Sequence, residues 1–385
     1  MDNIKVKSLG PIKDANINFG DLTLFVGPQA SGKSILLQLI KLINDRFNIQ
    51  KIVEQYGYIW GKDINSNLDR FFGEGMSEIW NDNTSIHFDK KPFTKSDIIE
   101  KRGRKDKSFT KEESLFYIPA QRVVCLQNGW PRFFTDYEDS VPYVLRYFSE
   151  TLRQFLENGK NDTIFPQSQR LKEPLRDSFN DSIFHDGKII LDKSGKKRFK
   201  LEIGKSNIPF MAWSAGQKEF MPLLLSFYLL CPPSKVSRKD DIKYVIIEEP
   251  EMGLHPQAIE SVILQIIDLL SRDYKVIVST HSPVLLEFAW AIRFLKESNM
   301  NSDSLFELFN LTKNPSLVRI FRILLEKKSL FTYYFDREHD GVSIKDISSL
   351  DAGSEDSAIS EWGGLSSFSS RASEIVSNSV INDYE

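Results

Sequence analysis

The chain has little of what a disulfide scaffold or a metal cluster needs. Its 385 residues hold two cysteines, Cys125 and Cys231, and five histidines. Two thiols cannot staple a chain of this length or build a multi-cysteine zinc site, so both read as reduced and structural. Charge of one sign is missing too, because 50 Lys and Arg face 53 Asp and Glu for a net charge of -3. That balance excludes a wholly basic nucleic-acid coat and a wholly disordered chain. With 20 Gly and 16 Pro the chain is neither fibrous nor of low complexity. Met1 to Lys7 lacks the apolar run of a secretory signal. The most apolar stretch, Phe220 to Pro233, is broken by Pro222 and too short to cross a bilayer. No repeat and no sustained heptad is present, so a long coiled coil is not expected. What is there is 41% apolar residues, including 28 Phe. That is enough for two to three domains' worth of core in a soluble, cytoplasmic protein.

The pattern along the chain is mixed. Short alternating strands are expected around Ile4–Val6 and Ala15–Phe19. Leu22-Thr23-Leu24-Phe25-Val26 is a continuous apolar run, the pattern of a buried strand. A helix is expected from Lys33 to Asp45, because Ile35, Leu36, Leu39, Ile40 and Ile43 recur at helical spacing. Residues 46–204 are less regular. They contain a strand at Leu115–Ile118, a helix at Val141–Leu156 and a hairpin at Lys188–Leu191 and Phe199–Ile203. After Ala212 order returns. A helix is expected from Ala215 to Leu230, then strand Tyr244–Ile247, helix Pro256–Ser271, strand Lys275–Ser279 and a helix opening near Ser282. Such alternation argues a largely parallel sheet flanked by helices. Tyr333–Asp336 and Val342–Ile344 add two C-terminal strands. Residues 351–385 are serine-rich and acidic, the composition of a flexible tail on which Trp362, Phe368 and Ile375 are candidates for docking.

Gly27-Pro28-Gln29-Ala30-Ser31-Gly32-Lys33-Ser34 fits the G-x-x-x-x-G-K-[ST] pattern, between a buried strand and a helix. Glycines let successive N–H groups converge on phosphate oxygens, and the helix N-terminus adds partial positive charge. Lys33 is placed to reach the β- and γ-phosphates and Ser34 to ligate Mg²⁺. Strand Tyr244–Ile247 runs into Glu248-Glu249-Pro250-Glu251. Carboxylates at a buried strand end are costly unless they hold a cation or a water. Glu248 is placed for the Mg²⁺ shell and Glu249 to polarise an attacking water. Ser214-Ala215-Gly216-Gln217 opens a helix 34 residues before Glu248, with Ser214 as N-cap and Gly216 allowing close approach of an anion. An ordinary capped helix would carry the same four residues, and it is their place ahead of the acidic strand that singles them out. His281 follows the next strand, where its imidazole can donate to a γ-phosphate or serve as an ordinary structural histidine.

This ordered set resembles the ABC-type ATPases. Ile247 to Pro256 is similar to the I-E-E-P-E-x-x-L-H-P segment of the OLD-like and SMC-like bacterial AAA-family ATPases. Tyr117-Ile118-Pro119-Ala120-Gln121-Arg122 resembles their Y-I-P-A-x-R segment. The resemblance implies an α/β fold: a P-loop ABC-type core at 1–45 and 205–330, mostly parallel with an N-terminal antiparallel part. An inserted lobe, helical with some strands, is expected at 46–204, C-terminal strands at 331–350 and the tail at 351–385. It implies ATP and Mg²⁺ as cofactors and a head-to-tail homodimer in which Ser214, Ala215, Gly216 and Gln217 complete the partner's site. Gln121 becomes the lid glutamine that senses Mg²⁺ and water. Ala215 stands where transport proteins of the class carry glycine, which argues against transport. The same resemblance implies antiphage defence, with the ATPase controlling a separate nuclease or toxin. Only about 55 residues follow Leu330, too few for a nuclease domain of the TOPRIM kind, so the effector is expected in trans. An SMC-like DNA-maintenance ATPase is the alternative. Lys101–Lys107 and Lys196–Lys200 read either as solvated loops or as contacts to a DNA backbone.

Overall fold

The computed structural model describes residues 1–99, 112–159, 161–167, 169–233, 241–351 and 353–382. The basic stretch Lys101–Lys107 lies outside the described residues. Ten strands form one sheet: β1 (Asn3–Leu9), β2 (Ile12–Asn18), β3 (Leu22–Val26), β4 (Trp80–Phe88), β5 (Lys91–Phe93), β6 (Leu115–Ile118), β7 (Tyr244–Glu248), β8 (Lys275–Thr280), β9 (Leu330–Glu338) and β10 (Gly341–Asp346). Their order is β5-β4-β1-β2-β10-β9-β3-β8-β7-β6. The run β9-β3-β8-β7-β6 is wholly parallel. Strands β1, β2, β4 and β5 pair antiparallel. The expected mostly parallel core with an antiparallel N-terminal part is what the sheet shows.

The parallel strands are apolar throughout because both faces are covered. All five residues of β3 are buried. Leu24, Val26, Val245, Ile247, Val276 and Val278 pack on one face; Phe25, Ile246 and Ile277 pack on the other. Each such side chain contributes roughly 1.5–3 kcal/mol when fully buried. Helix α1 (Lys33–Gln55) covers the second face. Helices α2 (Ala215–Leu230), α3 (Pro256–Ser271), α4 (Pro283–Glu297) and α5 (Pro315–Lys327) cover the first. Every strand of the parallel run ends at the same edge, and four of those ends carry the motifs read from the sequence. No described helix is long and apolar enough to cross a membrane.

Three features depart from the expected outline. Helix α1 continues ten residues beyond Asp45, which itself leaves helical geometry (φ -119°, ψ 19°). Its carboxylate accepts the N–H groups of Ser114 and Leu115 at 3.0 and 3.1 Å and the Lys41 ammonium at 2.8 Å. The helix therefore bends to hold the start of β6. The sheet also takes β4, β5 and β6 from residues 46–204, and β9 and β10 sit inside it, not at its margin. The rest of that segment carries the expected helix, at Tyr143–Glu157. It also carries three strands of an antiparallel four-stranded sheet built on the expected hairpin Lys188–Asp192 and Arg198–Ile203. Third, helices form at Ser357–Ser360 and Ser367–Asn382, where composition argued a flexible tail. Trp362 docks: its ring lies 5.9 Å from that of Trp290, and its indole N–H donates to the Leu350 carbonyl at 3.2 Å. Phe368 stays exposed.

Candidate functional site

Strand β3 delivers the chain to Gly27, whose φ is +148°. A Cβ there would lie 2.8 Å from Phe335 Cβ and 2.9 Å from the Phe335 carbonyl, so only glycine fits. Gly32, at φ +90°, caps α1 without a side-chain hydrogen bond, and a Cβ on it would strike Pro11. The first N–H groups of α1 therefore carry no side-chain cap and face the loop, the arrangement that receives an anion. Pro28, Gln29, Ala30 and Ser34 are exposed, while Lys33 is buried. Its ammonium donates to the carbonyls of Gly27 and Pro28 at 2.9 and 2.8 Å, and the Ser31 hydroxyl also donates to Pro28. Burial pushes Lys33 down to about 8, against the pull of Glu249, Glu251 and Glu248.

The acids arrive from β7, two strands away across β8. Glu248 is buried, and burial raises its carboxyl above the ordinary range. Its Oε2 accepts the Ala120 N–H at 3.3 Å, and the hydroxyls of Ser34 and Tyr117 lie close by. Its Oε1 is buried without a hydrogen-bond partner. Glu249 occupies the left-handed region at φ +42°, which costs roughly 1–2 kcal/mol for a residue with a Cβ. Its N–H donates to the Ser279 carbonyl at 2.8 Å, and its Oε1 lies 3.4 Å from His281 Nε2. That histidine, with burial opposing, holds the Glu249 carboxyl below its usual range. Neighbouring carboxylates are thus driven in opposite directions, the mark of different chemical roles.

The orphaned buried oxygen of Glu248 beside the Ser34 hydroxyl fits a divalent cation. Mg²⁺ is commonly held by one or two protein ligands together with phosphate oxygens and water. Among the described residues no group of three or more His, Cys, Asp or Glu is arranged to hold a metal by itself.

The structure brings Gly27–Ser34, Glu248, Glu249 and His281 to one strand edge. Gln121 lies in the same region, in the loop after β6, but is exposed, and its side chain makes no hydrogen bond among the described residues. Three residues that the motif reading gave no role join the site. Arg122 is fully buried and donates to the carbonyls of Glu248, Glu249 and Pro250. Glu251 accepts the Thr280 hydroxyl at 2.8 Å and the His281 N–H at 2.6 Å, and so anchors the histidine's backbone. Tyr117 stands over Glu248 from β6. The Y-I-P-A-x-R and E-E-P-E segments contain all three, but nothing in their spacing says which would turn inward.

Ser214 to Gln217 opens α2 beside Gly253, at the far end of the acidic loop. Ser214 and Gln217 form a capping box, each accepting the other's backbone N–H at 3.2 Å. Ser214 and Ala215 are exposed, and a Cβ on Gly216 would lie 2.7 Å from the Gly253 carbonyl. Among the described residues no hydrogen bond joins this segment to the phosphate loop of the same chain.

A phosphate loop on β3, a carboxylate-ended strand two places away across β8 and a capped helix with exposed first residues define a P-loop ATPase fold. Residues 126–287 match the family described as "AAA domain, putative AbiEii toxin, Type IV TA system". That match takes in Ser214–Gln217, Glu248, Glu249 and His281 and begins after the phosphate loop. Over 125 residues the chain is 30% identical to the Old nuclease of Escherichia phage P2, a stretch covering 30% of this chain and 21% of that protein. The match thus spans about a fifth of the length of that curated relative. An SMC head bound to the C-winged helix domain of ScpA is similar at a TM-score of 0.41 and 12% identity, over 90% of this chain and 96% of that one. The SMC head domain from Thermotoga maritima follows at 0.37 and 13%, over 90% and 98%. A bacterial ABC transporter cassette, MJ0796, solved as a dimer, gives 0.32 and 10%, over 72% and 88%. Strand order and loop geometry, not these scores, define the fold.

Proposed function

We propose that the chain is a Mg²⁺-dependent ATPase that closes as a head-to-tail dimer around ATP and controls a separate effector, a nuclease or a toxin, in antiphage defence. The observation that carries the ATPase reading is the convergence of Lys33, Glu248, Glu249 and His281 on one strand edge. Gly27 to Ser34 cradles the phosphates with backbone N–H groups, and Lys33 exchanges its two carbonyl partners for phosphate oxygens. Ser34 and Glu248 would hold Mg²⁺, which when bound neutralises charge on the β- and γ-phosphates. Glu249, ionised and braced by His281, takes a proton from water as its oxygen attacks the γ-phosphorus and the bond to ADP breaks. The outward placement of Ser214 to Gln217 supports a site completed by a second copy. The link to a toxin or nuclease effector is supported by the matching family's description, which names a toxin of a Type IV TA system, and by the likeness to the Old nuclease.

The test pairs two variants. Lys33→Ala should lose tight ATP binding in calorimetry. Glu249→Gln should keep binding and lose hydrolysis. Unchanged affinity in the first, or turnover within about threefold of wild type in the second, under ~0.7 kcal/mol of barrier, overturns the assignment.

A further inference from the structure

We infer that Arg122 is a positioning residue for hydrolysis: its guanidinium locks the Glu248–Pro250 turn, and with it the Glu249 carboxylate, to helix α2. The inference rests on the ATPase reading above and assigns a residue that reading does not use.

Arg122 is 0% exposed. Its Nε donates to the Glu219 carbonyl at 3.0 Å. Its Nη1 donates to the carbonyls of Glu248, Glu249 and Ala120 at 3.1, 3.2 and 3.4 Å, and its Nη2 to Pro250 at 3.3 Å. All five acceptors are main-chain carbonyls, drawn from three segments: the end of β6, the end of β7 and the second turn of α2. A guanidinium this deeply buried is costly unless its donors are used. Here its charge is offset by Glu219, Glu251 and Glu249 nearby. A planar fork can address carbonyls on three sides at once, whereas a lysine ammonium is a single point.

The turn it grips needs holding. Glu249 sits at φ +42°, and its N–H is fixed from the opposite side by Ser279 at 2.8 Å. With Arg122 on the carbonyl side, both peptide groups around Glu249 are pinned, and its side chain is left aimed at His281. The same loop meets α2 a second time where Gly216 packs on Gly253. None of the five hydrogen bonds touches the phosphate loop. Arg122 therefore acts on turnover and on the setting of the Ser214 helix, and leaves nucleotide affinity to Gly27–Ser34.

The experiment measures steady-state ATP hydrolysis, ATP dissociation constants and thermal unfolding for wild type, Lys33→Ala, Arg122→Gln, Arg122→Lys and Arg146→Gln. Arg146 is the control. It is also buried, at 1% exposure, but donates to the Arg70 carbonyl at 2.6 Å, outside the site. A wild type no more active than Lys33→Ala refutes the ATPase reading itself, before any Arg122 variant is compared. With an active wild type, Arg122→Gln should lower kcat at least tenfold with ATP affinity within threefold of wild type. Arg122→Lys should fall between the two, and Arg146→Gln should lower the unfolding temperature without that loss of kcat. The inference is overturned if Arg122→Gln keeps kcat within threefold, or loses ATP affinity in step with kcat. It is equally overturned if Arg146→Gln loses as much turnover, or if neither Arg122 variant folds, because Arg122 then only stabilises the fold.

Discussion

Lys33 shows how a single residue can report on the whole site. Burial holds its ammonium near 8, well below the ordinary 10.5, while three carboxylates pull the other way. Phosphate oxygens placed against that ammonium favour the charged form, so ATP raises the pKa. The sign follows. Well below pH 8 the group is protonated with or without nucleotide, and binding takes up no proton there. Between about 8 and 10.5 the free protein has lost the proton and the bound protein keeps it, so binding takes one up. Calorimetry at about pH 9, in two buffers of different ionisation enthalpy, should therefore show uptake of a large part of one proton. At about pH 6.5 this contribution should vanish. Enthalpies independent of buffer at the higher pH would show that Lys33 does not meet the phosphates. Glu249 lies at the other extreme, because its histidine partner keeps it ionised at neutral pH. That is the state a base needs before it can accept a proton.

At the scale of elements, the critical joint is the start of α2 against the loop after β7. A methyl group on Gly216 would meet the Gly253 carbonyl at 2.7 Å, backbone that cannot swing aside as a flexible side chain would. Gly216→Ala should push the N-terminus of α2 outward while leaving the phosphate loop untouched. Expected are normal ATP affinity and a kcat lowered by an order of magnitude or more; turnover equal to wild type would mean that α2 does not set the reaction. What the sequence shows of such elements follows from how they bury themselves. β3, β7 and β8 are covered on both faces, so each is a continuous apolar run legible without context. The loop at Gly27–Ser34 is legible because phosphate binding by backbone demands glycine at particular places. β4 is not: it reads Trp-Asn-Asp-Asn-Thr-Ser-Ile-His-Phe, half-exposed near the sheet's edge, and is held by its neighbour β1 more than by its own composition. The second half of α1 is hidden for a different reason, because Asp45 looks like a helix end until Ser114 is seen to bind it. Arg122 is hidden because its partners are carbonyls, which every residue has. The serine-rich C-terminus hides its docking because two aromatic rings, Trp362 and Trp290, and a glycine facing Tyr334 outweigh a polar composition.

The whole molecule carries one phosphate loop and one capped helix opening at Ser214, and among the described residues no hydrogen bond joins the two within a chain. The proposed head-to-tail pairing would give two complete sites per dimer, each with the phosphate loop of one subunit and the Ser214 helix of the other. In the proposed dimer ATP would lie in the interface, with its γ-phosphate part of what joins the subunits. Two consequences can be measured together. Glu249→Gln, which should hold ATP without consuming it, should sediment as a dimer at micromolar concentration with ATP and as a monomer without it. Ser214→Arg puts a bulky side chain where the exposed N-cap would meet the partner's nucleotide, so this protein should bind ATP but neither dimerise as tightly nor hydrolyse. Mixing it with Lys33→Ala protein should restore activity, because one site of the mixed dimer then pairs an intact Lys33 with an intact Ser214. At equal amounts about half the dimers are mixed and each holds one good site, so recovery should approach about a quarter of wild-type turnover. Neither parent can supply that activity alone, since each is defective at both of its own sites. An inactive mixture, together with a monomeric ATP-bound Glu249→Gln protein, would remove the composite site. It would also remove the proposal that dimer closure around ATP is the motion by which a separate effector is released or restrained.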